Sequence, residues 1–204
     1  MLKTRIAVFV SGGGTNLQAL LDAQAAGKLS AGEIVLVLAS NENAYALQRA
    51  QKAGVATAVC SRKALGTQEA FEAVIEASLA AHRIDLIVLA GFMSILSKDF
   101  TDQWPERILN VHPSLIPSFC GQGYYGLRVH EAALARGVKV TGATVHFVNE
   151  IPDGGRILLQ KAVAIEDGDT PEILQHRVME QAEWLLLPQA VQMVSEKIAK
   201  EREA

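Results

Sequence analysis

The stretch Ile6-Ala-Val-Phe-Val10-Ser-Gly-Gly-Gly-Thr-Asn16 passes from an apolar run through three glycines into a helical pattern. A continuous apolar run suits a strand covered on both faces, because a half-exposed strand would alternate with polar residues. Residues 16–26 carry leucines and alanines at helical spacing, so the chain reads strand, glycine turn, helix. Outward from there the alternation recurs. Residues 33–39 (EIVLVLA), 55–60, 85–90 (DLIVLA) and 108–111 read as strands, with helices over 44–54 and 68–82. Fully apolar strands separated by helices define an α/β chain with a Rossmann-like, doubly wound, mostly parallel sheet.

The pattern changes near residue 141. Residues 141–148 (TGATVHFV) and 156–165 (RILLQKAVAI) read as longer strands joined by the turn Pro152-Asp-Gly-Gly155. That is a hairpin signal, so the C-terminal portion turns antiparallel. A long last helix is expected from Pro171, placed just after Asp169-Thr170, to near Lys200, with Pro188 kinking or dividing it. Without a repeat or a Ser- or Pro-rich linker, residues 1–204 read as a single domain.

Composition narrows the function. The 204 residues are 50% apolar and 20% charged, with a formal net charge of −3. A chain of this length buries a core without staples, and this charge is no footprint of a nucleic-acid binder. Cys60 and Cys120 form no CxxC pair, and no His, Cys or carboxylate set has metal-ligand spacing. The first apolar run, residues 6–10, is too short for a secretion signal, and none approaches the ~18–20 residues of a membrane span. The expectation is a cytoplasmic protein without metal, membrane or nucleic-acid partner.

Two segments carry chemistry. In the loop Ser11–Asn16, glycines permit a tight turn, and the following helix offers free N–H groups and the positive end of its dipole to an anion. Thr15 and Asn16 add side-chain donors. No Gly-Lys-Ser/Thr follows, so this is not a Walker loop, and Leu17 occupies the third glycine position of a dinucleotide fingerprint. A monophosphate is the leading reading; a dinucleotide and a purely structural turn stand beside it. In the second segment, Ile108-Leu-Asn-Val-His-Pro-Ser-Leu115, strand alternation points Asn110 and His112 to the same side near a strand end. Open α/β sheets bind ligands at such ends. Asn supplies a donor for a developing oxyanion, and His supplies a proton near neutral pH. Asp153 would orient and stabilise the imidazolium if the hairpin brings it to His112; otherwise it is an ordinary turn aspartate. His146, alternating with Thr144 and Val148, reads as a core residue or one lying behind the site rather than a ligand.

Through these residues the chain resembles the phosphoribosylglycinamide formyltransferases, folate-dependent enzymes of purine synthesis. The resemblance covers nearly the whole chain. It rests on Ser11–Asn16, Leu89-Ala-Gly-Phe-Met-Ser-Ile-Leu96, Leu109-Asn-Val-His-Pro-Ser-Leu-Ile-Pro117, Thr144-Val-His-Phe-Val148 and Asp153-Gly-Gly155. It implies transfer of a formyl group from 10-formyltetrahydrofolate to the glycinamide amine of 5-phosphoribosylglycinamide. The implied catalytic trio is Asn110, His112 and Asp153. Gly14, Thr15, Asn16 and Glu183 would bind the ribonucleotide. Met93, Ser94, Ile95, Leu96 and Asn110 would bind folate, with Asn149 and Glu150 opposite. The N-terminal half would hold the ribonucleotide, the C-terminal half folate and the chemistry, in a monomer or homodimer.

Gln68 stands where this family often has an arginine reaching the folate tail. The loop after Pro117, with the insertion at residues 120–126, is longer than in shorter members, and its glycines and tyrosines suit a lid. Around Glu183 the last helix carries one extra residue. A formyltetrahydrofolate hydrolase or another formyl-transfer enzyme would share the Asn-His-Asp chemistry, and a non-catalytic nucleotide sensor would share only the glycine loop.

Overall fold

The computed structural model describes residues 2–203. In chain order its strands are β1 (Thr4–Val10), β2 (Gly32–Ala39), β3 (Ala56–Val59), β4 (Leu86–Leu89), β5 (Ile108–His112), β6 (Val140–Phe147) and β7 (Ile157–Ala164). They form one sheet in the order β3-β2-β1-β4-β5-β6-β7. The first five are parallel, and β6 and β7 run antiparallel. The strand order reverses between β1 and β4, so their C-terminal ends open the crevice where α/β sheets bind ligands.

The helices are α1 (Thr15–Ala25), α2 (Tyr45–Lys52), α3 (Arg62–Leu65), α4 (Gln68–Ala81), α5 (Lys98–Asp102), α6 (Leu127–Arg136), α7 (Pro171–Val178) and α8 (Trp184–Glu203). Strand alternation divides the apolar side chains between two cores. Ile6, Val8 and Val10 of β1 join α1, α2 and α8 on one face. Ala7 and Phe9 join Phe71 and Ile75 of α4 and Phe100 of α5 on the other. Double coverage is the physical reason that these strands lack polar positions.

Asn110 and His112 interrupt that rule at the end of β5. Leu109 and Val111 enter the α8-side core, so Asn110 and His112 emerge on the opposite face. In the antiparallel register, Asn110 sits directly across from His146 and His112 from Thr144. Three helices lie outside the expected pattern. α3 and α5 have four and five residues, too few to show a period. α6 buries only Val129, His130 and Ala133, a stripe too thin to read as amphipathic.

The last helix departs from expectation at a different place. Its irregularity is a π turn over Met179–Glu183, and α8 then runs on through Pro188. A π turn takes one residue more than an α turn, matching the extra residue read near Glu183. Proline lacks an N–H and crowds the carbonyl four residues back, which belongs to Trp184, the residue where the π turn meets α8. The distortion is absorbed there instead of breaking the helix at Pro188.

Candidate active site

β1 ends in the glycine loop, whose geometry is set by Gly14. Its φ is +73°, and a Cβ there would lie 2.7 Å from Ala46 Cβ of α2. The glycine therefore both permits the left-handed turn and lets α2 approach. Arg49 of α2 donates from Nε to Gly13 O at 2.8 Å and from a terminal nitrogen to Gln18 Oε1 at 3.0 Å, bracing the loop from behind. A cavity of about 350 Å³ opens over Gly12–Asn16 and is lined also by Met93, Val111, Pro113, His130 and Glu183.

Asn16 donates from Nδ2 to Glu183 Oε2 at 2.6 Å, joining the first helix to the π turn 167 residues later. Glu183 is buried, and that burial pushes its pKa up to about 7, although the Asn16 amide favours the charged form. The structure thus places Gly14, Thr15, Asn16 and Glu183 around one cavity.

Asp153 reaches the end of β5 because its loop turns back sharply. It takes a positive φ of 57°, and two glycines follow. A Cβ on Gly155 would come within 1.7 Å of Phe147 O, so only glycine permits this approach. Asp153 Oδ2 lies 3.4 Å from His112 Nδ1 and accepts from the Gly121 N–H at 2.8 Å. His112 Nε2 faces the Phe119 carbonyl at 2.9 Å, and because a carbonyl only accepts, that nitrogen carries a hydrogen. Both ring nitrogens therefore face acceptors, an arrangement that suits imidazolium.

Burial opposes it. His112 is 4% exposed, and desolvation holds its pKa below the ordinary histidine value against the pull of Asp153 and Phe119. Asp153 shows the opposite balance. Burial raises its pKa, but His146, the charge of His112 and the Gly121 N–H together bring it below the usual carboxylate value.

His146 organises the remaining member. Its Nδ1 faces the Phe147 carbonyl at 2.8 Å, and its Nε2 lies 3.1 Å from Asn110 Nδ2 and 3.5 Å from Asp153 Oδ1. The same amide nitrogen lies 3.5 Å from Asp153 Oδ1. His146 and Asp153 together fix the amide's orientation. Asn110, His112, Asp153 and His146 thus form one cluster at the C-terminal end of β5.

On the neighbouring rim, Met93 and Ile95 are exposed, Ser94 is half-buried and Leu96 is buried. The Met93 N–H donates to Ser11 Oγ at 2.9 Å, tying this segment to the glycine loop. Gln68 does not extend outward. Its amide donates to Glu72 at 2.6 Å and to the Ile95 carbonyl at 3.1 Å, so it fastens the 93–96 segment. Asn149 closes its own turn by accepting the Ile151 N–H at 3.1 Å, and Glu150 is exposed. Sequence reading missed the Phe119 carbonyl and the Gly121 N–H, since backbone groups have no side-chain signature. It also missed His130, whose single sequence signal is a histidine between Val129 and Ala133, both of which turn out to be buried.

A glycine loop at one strand end, with an amide, an imidazole and a carboxylate converging at another, is a polar site of the kind that α/β enzymes carry at their strand ends. The comparisons name the branch. The formyl transferase family pattern matches residues 4–191, and this chain belongs to that family. The chain is 40% identical over 192 residues to phosphoribosylglycinamide formyltransferase of Haemophilus influenzae, covering 94% of this chain and 87% of that one. It is 43% identical over 193 residues to the trifunctional purine biosynthetic protein adenosine-3 of Gallus gallus. That match takes in 95% of this chain but spans only 18% of the longer protein. The crystal structure of glycinamide ribonucleotide transformylase 1 from Symbiobacterium toebii superposes with a TM-score of 0.89 at 40% identity, covering 96% of this chain and 89% of that one. The resemblance read from the sequence is thereby borne out. Among the described residues, no helix is long and apolar enough to cross a membrane.

Proposed function

We propose that this chain transfers the formyl group of 10-formyltetrahydrofolate to the glycinamide amine of 5-phosphoribosylglycinamide. The observation that carries the reading is the convergence of Asn110, His112 and Asp153 beside a cavity floored by the glycine loop. The ribonucleotide phosphate sits on the loop amides and the start of α1. The folate pterin lies against residues 93–96, with the loop 149–153 opposite.

The amine attacks the formyl carbon directly, so no serine or cysteine nucleophile is needed. Carbon–nitrogen bond formation places negative charge on the formyl oxygen and positive charge on the attacking nitrogen. Asn110, steadied by His146, turns an N–H toward that oxygen. His112 releases the Phe119 carbonyl and directs Nε2–H at the same oxygen, while Asp153 holds Nδ1–H and stabilises the imidazolium. The attacking nitrogen loses its proton and the folate nitrogen gains one as the second carbon–nitrogen bond breaks. Formyl-amide and tetrahydrofolate are the products.

The test is an assay of the purified protein with 10-formyltetrahydrofolate, with and without 5-phosphoribosylglycinamide. Donor consumption that requires the acceptor, with formylated product in equal amount, is expected. Donor turnover without acceptor would assign the chain to hydrolysis instead.

A further inference from the structure

Three buried polar atoms around the glycine-loop cavity have no hydrogen-bond partner among the described residues: Asn16 Oδ1 and both ring nitrogens of His130. Asn16 already belongs to the loop, but His130 has no part in the chemistry described above. It is fully buried on α6, beyond the loop of residues 118–126, and it lines the cavity together with Val111, Pro113 and Glu183. Its apolar neighbours Val129 and Ala133 supply the packing of that helix, so fold stability gives no reason for an imidazole here. A buried ring with neither nitrogen bonded lowers stability, and such a group is retained where a ligand completes it.

The chemistry of the missing partner follows from the ring. Burial and the nearby charge of His112 push the His130 pKa down to about 4, so the ring is neutral at physiological pH. It offers one N–H donor and one lone pair. A phosphate accepts only, and is served by the loop amides at the other end of the cavity. A carboxamide presents a C=O acceptor and an N–H donor, the complement of a neutral imidazole. Position agrees. Val111 and Pro113, the chain neighbours of His112, share the cavity wall with His130. In an acceptor whose amine reaches His112, the glycinamide amide is the next polar group along the molecule.

We infer that His130 is a specificity-determining residue that hydrogen-bonds the amide of the acceptor's glycinamide arm. This deepens the reading of the cavity as the ribonucleotide site and rests on it. The bond accounts for discrimination between acceptors that share a ribose phosphate and differ in the arm. It also fixes the arm's rotation, so that the amine is presented toward His112 and away from the phosphate end.

The decisive variant is His130→Leu, which removes both hydrogen-bonding nitrogens and keeps comparable bulk. Calorimetric titration compares 5-phosphoribosylglycinamide with ribose 5-phosphate, which has the phosphate and hydroxyls but no amide. The expected result is about a tenfold loss of affinity for the ribonucleotide and a change within about twofold for ribose 5-phosphate. The thermal midpoint of the ligand-free variant should be no lower than wild type, because an unpaired buried polar group has been removed. His130→Gln, which restores a donor and an acceptor, should regain part of the lost affinity. Equal weakening of both ligands, or no weakening of either, overturns the assignment. So does a lowered midpoint accompanied by loss of both ligands, which marks a structural residue. If the leucine variant fails to fold, His130→Ala carries the same two-ligand comparison. Failure of the wild-type protein to bind the ribonucleotide would overturn the activity reading instead, and is read separately.

Discussion

His112 and Asp153 divide between them the cost of placing charge beneath the surface. Burial lowers the histidine's pKa, and Asp153 is the first of the groups that oppose it. Removing that carboxylate must therefore lower the His112 pKa further. Asp153→Asn keeps the shape and removes the charge. It should reduce kcat at least about a hundredfold with ribonucleotide affinity nearly unchanged, because the lost interaction develops in the transition state. Residual activity that depends on protonated His112 should lose its basic limb at lower pH than wild type. A pH–rate profile of both proteins, with separate binding titrations, checks this; an unmoved profile would leave Asp153 as a turn residue. Glu183 tests the opposite sign. Its folded pKa of about 7 lies above the ordinary 4.5. The native state thus holds a proton that the unfolded chain releases, and stability present below about pH 4.5 is lost as the pH rises through about 7. Glu183→Gln should flatten that slope and gain at most about 3 kcal/mol at pH 8 relative to pH 4. Denaturant unfolding across pH reads it; parallel profiles for the two proteins would refute the assignment.

At the scale of elements, the loop of residues 118–126 latches onto His112 and Asp153. The Phe119 carbonyl occupies His112, and the Gly121 N–H occupies Asp153. Beyond these two anchors the segment is exposed, with Tyr124 and Tyr125 38% and 45% accessible, which leaves them open to a protease. For His112 to address a substrate, the Phe119 contact must open, and the loop must find a second position. Chymotrypsin should cut after Tyr124 or Tyr125 in the free protein, and saturating ribonucleotide with a folate analogue should suppress the cut. A cleavage rate indifferent to both ligands would reduce the segment to a surface loop. The π turn is the second element with a role. By adding a residue to one turn it brings Glu183 under the surface against Asn16, while α8 keeps its apolar stripe on the sheet.

Across the whole molecule, a single sheet is the shared wall of both apolar layers. Trp104 packs against the layer built by Phe9, Phe71 and Phe100, and Trp184 begins α8 on the opposite side. Because neither layer can lose its packing without exposing the strands that support the other, the two faces should unfold together. Single-tryptophan variants, Trp104→Phe and Trp184→Phe, report one face each. Their fluorescence midpoints should coincide with the circular-dichroism midpoint of the same variant. Separated midpoints would show the faces to be independent units.

Periodicity and local turn chemistry determined much of this protein from the sequence alone. The strands, the helices over 44–54 and 68–82, the glycine turn before α1 and the antiparallel hairpin all depend on neighbours within a few residues, where pattern is informative. Alternation likewise put Asn110 and His112 on one face, since two residues along a strand suffice. Tertiary structure alone decided what these residues meet. The register of β5 against β6 sets His146 opposite Asn110. The bare backbone of Gly155 lets Asp153 approach His112. The π turn, and not Pro188, takes up the irregularity of the last helix, and it joins Glu183 to Asn16. Gln68 turns inward to hold residues 93–96. Each of these contacts spans tens of residues or uses backbone atoms that every residue type carries. Its energy arises only once the sheet has brought the segments together, so no local pattern in the chain records it.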